Sequence, residues 1–180
     1  MVKALSTGLL LALGGILTLV GPVAGIPVNQ LANPGFEDGM LVPWLGTDWT
    51  VTASDAHSGT YCAANTSGTS IRQMIAPIAV GEVLEVSLYC KSPDLVNHVV
   101  RLLYSADASN WDEFPHEHGA SSWVRYDLTS RLRASGQLHG ISISGHAAHP
   151  YRVDDVAILI DEPLDITPTT WGRVKEIFSE

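Results

Sequence analysis

The segment from residue 104 to residue 114 carries the side chains best suited to holding a ligand. It reads Tyr-Ser-Ala-Asp-Ala-Ser-Asn-Trp-Asp-Glu-Phe, so the rings of Trp111 and Phe114 stand beside the polar groups of Asn110, Asp112 and Glu113. An aromatic ring can stack on a sugar ring, and polar neighbours can hydrogen-bond hydroxyl groups. The pattern predicts a polar hairpin loop that binds a hydroxyl-rich ligand.

A second ring in the first half of the chain is a further candidate for the same chemistry. Trp44 lies in the long segment that precedes the first strongly alternating residues. We expect it to contribute a ligand-binding face, the alternative being that it only covers a loop.

Catalytic chemistry is poorly supported by the sequence. Asp112 and Glu113 are adjacent in sequence, not presented as a pair across a cleft, and the chain has neither a Gly-x-Ser-x-Gly turn nor a His-Glu-x-x-His motif. In a strand, His116 and His118 would place two imidazoles on one face, where a transition metal could bind. A solvated polar loop is the favoured interpretation of that segment, and we expect no enzymatic activity.

One carboxylate is predicted to point toward the core. Asp154 has the same parity as Val156 and Ile158 in a strand predicted over residues 152–160. An unpaired charge in an apolar layer is costly, and a hard cation with oxygen ligands would remove that cost. The alternative is that Asp154 bonds backbone amides, or Arg152 at the sheet edge.

These side chains must be positioned by strands, because alternation of apolar and polar residues dominates the chain. Turn residues such as Gly, Pro, Ser and Asp separate the alternating segments at short intervals. The spacing predicts an all-β fold, a β-sandwich or jelly roll of about 8–9 antiparallel strands. The predicted strands cover residues 49–53, 61–64, 71–75, 83–91, 99–105, 123–128, 141–144 and 152–160.

The order of several short motifs resembles the carbohydrate-binding modules of the family 4/9 type, which are galactose-binding-like jelly rolls. The motifs are Asn-Pro-Gly-Phe-Glu at 33–37, His-Ser-Gly-Thr-Tyr at 57–61 and Val-Asp-Asp-Val at 153–156, with weaker likenesses at 72–73 and 123–126. The likeness covers roughly residues 30 to 160. It implies a polysaccharide or glycan as partner.

The same resemblance implies a structural calcium ion that ties the first strand to the last. Its ligands would be Glu37 and one carboxylate of the Asp154 and Asp155 pair, completed by backbone carbonyl groups near Asn33, Gly35 and the 58–60 loop.

The two cysteines raise the question of a disulfide. In the segment 83–91, Leu84, Val86, Leu88 and Cys90 share one parity, so Cys90 is expected to face the core. An even pair in an exported chain is a reasonable candidate for a bond between Cys62 and Cys90. Buried free thiols are the alternative.

The ends of the chain differ in composition from its middle. Residues 1–25 have the profile of a signal peptide, with Lys3 followed by an apolar run and small residues near a cleavage site. The jelly-roll domain is predicted over 26–161, followed over 162–180 by a polar linker and a tail. In that tail Trp171, Val174 and Phe178 lie on one face of a short predicted helix.

Charge limits the possible partners. The formal net charge is -9, and Lys and Arg nowhere form a dense patch with aromatics between them, which disfavours nucleic acid and anionic lipid. No second apolar stretch could span a membrane once the leader is removed.

Two functions follow from the sequence. The first is a secreted, non-catalytic glycan-binding module with exposed aromatics and a structural calcium. The alternative is an extracellular structural or adhesive surface subunit that assembles with itself or with cell-surface proteins. Its contacts would be made by the sandwich and by the tail residues Trp171, Val174 and Phe178, which would dock on the partner.

Overall fold

The computed structural model describes residues 25–162, without the side chains of His118, Ala120 and Ala148. All but the last residue of the predicted signal peptide, and Trp171, Val174 and Phe178 of the predicted tail helix, lie outside the described residues. Nine strands and two short 3-10 turns, Val80–Glu82 and Thr129–Arg131, make up this part of the chain. The strands are β1 (Ile26–Asn29), β2 (Leu45–Gly46), β3 (Trp49–Thr52), β4 (Cys62–Ser67), β5 (Ser70–Ala79), β6 (Val83–Leu103), β7 (Trp111–Asp127), β8 (Gln137–Ser144) and β9 (Ala147–Glu162).

The long strand β6 divides the antiparallel pairings into two layers. Its first half pairs with β9 over residues 83–91, and its second half pairs with β8 over residues 99–103. The first sheet therefore has the order β3-β4-β9-β6-β7, with β1 beside the end of β9. The second sheet has the order β2-β5-β8-β6-β7. This arrangement is a β-sandwich of the jelly-roll type, as the alternation predicts.

The core lies between the inner faces of these sheets. Ile71, Ile143 and Val100 are opposite one another in the second sheet and fully buried. Val153 and Cys90 are opposite one another in the first sheet and equally buried. One continuous apolar cluster joins the two faces. Within residues 25–162 no helix is long and apolar enough to cross a membrane.

Several predicted boundaries differ from the observed ones because pairing irregularities are invisible in local alternation. Leu84 was expected in the core with Val86 but is exposed, since the register between β6 and β9 shifts between Val83 and Glu85. The predicted strands 83–91 and 99–105 are parts of one strand. The segment predicted as a polar loop around Trp111 and His116 is the first half of β7.

The predicted disulfide is wrong in this structure, where Cys62 and Cys90 are both free and buried. Cys90 is opposite Val153 of β9, and Val153 is opposite Ala63, the neighbour of Cys62 in β4. The two cysteines thus lie on strands separated by β9, which places their backbones about 9.5 Å apart. A disulfide needs Cα atoms within about 7 Å, so the alternative of buried free thiols is the one observed.

Candidate functional site

A row of residues crosses all five strands of the second sheet on its outer side. Successive pairings place Leu45 opposite Arg72, Arg72 opposite Ser142, Ser142 opposite Arg101, and Arg101 opposite Glu113. Directly opposite residues share a face of a sheet, so the five side chains project from one surface. We call this surface, together with Trp111 two residues along β7, the open face.

The open face contains a shallow cavity of about 360 Å³. Arg72 of β5, Arg101 of β6 and Ser142 of β8 form its floor, and the segments around Thr47 and Thr69 form its wall. Hydroxyl groups and guanidinium groups dominate this lining, which suits a ligand rich in hydrogen-bonding oxygens.

Trp111 stands at the end of the open face that β7 forms. It is 44% exposed, and the guanidinium carbon of Arg101 lies 5.7 Å from its ring centroid. Arg101 in turn donates from Nε to Glu113 at 2.8 Å. The cation over the ring and the ion pair beside it restrict where the indole can turn, so the structure presents an oriented aromatic surface to solvent.

Of the other side chains predicted around Trp111, Asp112 and Phe114 do not project from the open face, and Asn110 lies in the turn before β7. Phe114 is opposite Val100 and packs against the core. Asp112 forms an ion pair with Arg133 at 2.8 Å, and Arg133 also donates to Asn110 at 3.0 Å. Alternation along β7 thus brings Trp111 and Glu113 together on the open face and turns Asp112 and Phe114 away from it.

Arg133 holds the turn that precedes Trp111. Its guanidinium lies 3.9 Å from the ring centroid of Tyr104, at the start of this turn, while binding Asp112 at the end. The pairing with Arg133 lowers the pKa of the Asp112 carboxyl. Asn110 and Asp112 therefore serve to position the turn.

The prediction that Trp44 offers a ligand-binding face is wrong in this structure. Trp44 is 2% exposed, its ring lies 5.5 Å from that of Phe36, and its Nε1 donates to the carbonyl of Asn33 at 3.1 Å. The alternative, a ring that covers a loop from inside, is the one observed.

A second cluster lies where the Asn33–Gly39 segment meets β9. Val156 donates its backbone N–H to the carbonyl of Pro34 at 3.1 Å, which brings the two motifs together. Ser87 is opposite Ala157 and Tyr89 is opposite Asp154, so β9 has one residue more than β6 between these two pairs. The extra residue makes a bulge, within which Asp155 has a positive φ of 46°. As a result the carboxylates of both Asp154 and Asp155 lie beside Gly35.

Asp154 is fully buried, as its parity predicts, and backbone amides surround it. Its Oδ2 accepts from the N–H groups of His57 and Ser58 at 2.8 and 3.2 Å, and its Oδ1 accepts from Asp155 N–H at 2.8 Å. This is the amide-bonded alternative considered for Asp154. Burial nevertheless outweighs these bonds and raises the pKa of its carboxyl from 3.8 to about 6.

Glu37 also lies beside Gly35, since a Cβ on that glycine would be 3.7 Å from Cγ of Glu37. Its carboxylate accepts N–H bonds from Thr60 and Tyr61 at 3.0 Å. Gly59 makes room for it, because a Cβ there would lie 2.4 Å from Oε1 of Glu37. Gly59 also has a positive φ of 58°, which glycine adopts at little cost.

Asn33 does not join these carboxylates, so its assignment as a ligand is corrected. Its Nδ2 donates to the carbonyl groups of Met40 and Val42, at 2.9 and 3.2 Å. Its own carbonyl accepts from Phe36 and Trp44. These hydrogen bonds hold Asn33 against residues 40–42, at the other end of the same loop.

Between residues 25 and 162 no three His, Cys, Asp or Glu side chains are arranged so that they could hold a metal ion. The interpretation of the His116 segment as a solvated loop is wrong, since β7 carries the half-buried ring of His116 onto Tyr126, 4.3 Å away, and within 3.2 Å of the Tyr151 hydroxyl.

Arg72, Arg101 and Ser142 are the site residues that sequence reasoning missed. Each lies at an outward position next to buried neighbours, for example Arg72 beside Ile71. That parity was a usable signal. What the sequence lacked was the strand pairing that aligns the three residues in one row.

No protein-family model matches this chain, and the curated proteins compared by sequence include no similar one. Solved structures do share its fold. The family 61 carbohydrate-binding module TmCBM61, in complex with β-1,4-galactotriose, has a TM-score of 0.56 at 22% identity over 75% of this chain and 99% of that chain.

Two further carbohydrate-binding modules have comparable similarity. For a family 16 module the TM-score is 0.51 at 15% identity, over 74% of this chain and 100% of that chain. For the CBM22-1 xylan-binding domain of Paenibacillus barcinonensis Xyn10C the TM-score is 0.50 at 17% identity, over 77% and 97%. These likenesses establish the fold, a β-sandwich of the kind found in carbohydrate-binding modules. They do not establish membership of family 4/9, which stays a prediction.

Proposed function

We propose that this protein is a secreted, non-catalytic glycan-binding module whose ligand lies along the open face. The observation that carries the proposal is the exposed, oriented ring of Trp111 at the end of a cavity lined by hydroxyl and guanidinium groups. An aromatic surface next to such donors is the arrangement that sugar recognition requires.

The shape of the open face favours a chain of sugars over a single one. From Arg72 to Trp111 the path crosses three strand spacings and runs two residues along β7, a backbone distance of roughly 16 Å. A single pyranose ring cannot contact both ends. An oligosaccharide or polysaccharide segment can.

The test is retention of the mature chain, residues 26–180, on a panel of immobilised glycans that includes β-1,4-galactan and xylan. Trp111→Ala is compared with Leu95→Ala, which removes an exposed apolar side chain that is not part of the open face. We expect wild type and Leu95→Ala to be retained on at least one glycan and Trp111→Ala to be lost. Absence of retention on every glycan would overturn the function, and equal retention of all three proteins would overturn the site.

We also propose a structural calcium ion beside Gly35, bound by Glu37 and one carboxylate of the Asp154 and Asp155 pair, together with backbone carbonyl groups. A Cβ at Gly35 would lie 3.3 Å from Oδ1 of Asp155 and 3.6 Å from Oδ1 of Asp154. An oxygen-only donor set beside a buried carboxylate fits a hard cation. Two carboxylates are too few ligands for a calcium ion, so carbonyl oxygens of the adjoining loops would complete the coordination.

Thermal melting with calcium and with a chelator tests this ion. Calcium is expected to raise the melting temperature of wild type and of Asp38→Asn, which changes an exposed carboxylate of the same loop. Glu37→Gln should abolish that increase. A wild-type melting temperature that calcium leaves unchanged would exclude the ion without affecting glycan binding.

A further inference from the structure

We infer that the glycan bound by the open face carries an anionic substituent, a carboxylate or sulfate group, and that Arg72 binds it. This inference rests on the proposed function, because it specifies the class of ligand for the same face. Neither the presence of Trp111 nor the sandwich fold requires it, since both suit a neutral glycan equally well.

Arg72 is distinguished by its lack of a carboxylate partner. Within residues 25–162 the cations of Lys91, Arg101, Arg125, Arg133 and Arg152 all form ion pairs with Asp or Glu. Only Arg72 and Arg131 in that part of the chain do not. In a chain with 19 acidic and 10 basic residues, an arginine without a carboxylate partner is unexpected unless it is kept available for a ligand.

The surroundings of Arg72 supply no counter-charge. The cavity contains two arginines, Arg72 and Arg101, and none of its lining residues is Asp or Glu. Arg101 is already neutralised by Glu113 at 2.8 Å, which lies at the edge of the row. A net positive charge therefore remains at Arg72, in the interior of the open face.

The lining also offers neutral donors beside this charge. Ser142 lies directly opposite Arg72 on β8, and both line the cavity with Ser70. A guanidinium group presents its N–H groups in a planar fork that matches two oxygens of a carboxylate or a sulfate. Hydroxyl groups next to the guanidinium would donate further hydrogen bonds to such an anion. A neutral sugar hydroxyl group, in contrast, would leave the charge of Arg72 without a counter-charge.

The position of Arg72 also places the anion on a different sugar from the one that stacks on Trp111. Two strand spacings separate Arg72 from Arg101, about 9.5 Å, and Trp111 lies a further strand away. The ligand is thus an acidic oligosaccharide in which an uncharged face contacts Trp111 and a charged sugar, some residues along, contacts Arg72.

Affinity electrophoresis of the mature chain tests this assignment with four probes. Polygalacturonate carries carboxylates, its fully methyl-esterified form carries none, carrageenan carries sulfates, and β-1,4-galactan is neutral. Arg72→Gln is compared with Arg131→Gln, which removes the same charge from an exposed site that does not line the cavity.

We expect polygalacturonate or carrageenan to be bound at least tenfold more tightly than the neutral probes, a preference that weakens with salt. Arg72→Gln should lose that preference, so that it binds anionic and neutral probes about equally, while Arg131→Gln should keep the preference of the wild type. Which anionic probe is preferred identifies the carboxylate or the sulfate.

Two outcomes would overturn the inference, and they differ from failure of the function itself. Equal binding of neutral and anionic probes, with no effect of Arg72→Gln, would exclude an acidic ligand and leave glycan binding standing. An anionic preference that Arg131→Gln reduces as much as Arg72→Gln would show that general charge, not the open face, is responsible. Failure of every probe to bind would overturn the function and the inference together.

Discussion

The guanidinium carbon of Arg101 lies 5.7 Å from the ring centroid of Trp111, on the outer side of the second sheet. The two residues are on neighbouring strands, and Arg101 is directly opposite Glu113. The contact therefore depends on sheet register, not on a flexible loop. An aromatic ring positioned in this way keeps its orientation in the absence of ligand, which lowers the conformational entropy that binding costs.

Trp111 and Phe114 are only three positions apart in sequence, but we expect their substitutions to affect different properties. Trp111 should matter for glycan binding and Phe114 for stability. Trp111→Ala should abolish glycan retention and leave the free energy of unfolding nearly unchanged, because Trp111 is 44% exposed and lies outside the apolar core. Phe114→Ala should lower that free energy by about 2 kcal/mol or more, since the ring packs on the core. Urea unfolding of the two variants checks the contrast, and a large loss of stability in Trp111→Ala would contradict it.

Gly59 is expected to be indispensable for the loop that binds Glu37. Gly59→Ala introduces a Cβ 2.4 Å from Glu37 Oε1 at a positive φ, and should cost about 1–3 kcal/mol. Gly81→Ala is the matched control, because nothing lies within 4 Å of the added atom. Equal unfolding free energies of the two variants, measured in urea, would show that the loop does not have the described conformation.

The two thiols should be unreactive in the native protein. Burial raises the pKa of Cys62 and of Cys90 to about 11, so little thiolate exists at pH 8. A colorimetric thiol reagent is expected to detect none in the folded chain and two after denaturation without reductant. Detection of none after denaturation would mean that a disulfide had formed.

Asp154 should give stability an unusual pH dependence in the presence of a chelator. Its carboxyl holds a proton more tightly in the folded state, with a pKa of about 6, than at the ordinary 3.8. The resulting stabilisation is complete below pH 3.8 and is lost as the pH rises through 6, a change of at most about 3 kcal/mol.

The measurement is the unfolding free energy of wild type minus that of Asp154→Asn between pH 4 and pH 7. Subtraction removes the opposite contributions of paired carboxyls such as Asp112, whose pKa is lowered. The difference should fall with rising pH in the chelator. Added calcium should reverse the slope if the proposed ion binds, because a bound cation favours the charged carboxylate. A flat difference in the chelator would contradict the raised pKa.

Much of the fold follows from local sequence, because alternation reports which side of a strand faces the core. The burial of Cys90 and of Asp154 could be predicted in this way. The continuity of β6 could not, since Pro93 and the polar residues around it resemble a turn. The exposure of Leu84 also required knowledge of the shift in pairing with β9.

The candidate site was only partly predictable for a related reason. Trp111 could be identified from its polar neighbours, and the structure exposes it. If the segment is a loop, as its sequence predicts, Asp112 and Phe114 are as accessible to a ligand as Trp111. Once β7 begins at Trp111, alternation turns both inward, and the partners of Trp111 become Arg101 and Glu113. Such partners arise from pairing between distant strands, which no single window of sequence contains.

The continuity of β6 through both sheets has a consequence for how the chain folds. Its first half needs β9 and its second half needs β8, so neither layer can be completed before the last third of the chain has arrived. Closing such long loops is entropically costly, and folds dominated by distant pairings form in milliseconds to seconds instead of microseconds. A nascent chain stopped before β8 would expose the edge of β6 that β8 and β9 later cover, and in that interval it would be vulnerable to aggregation.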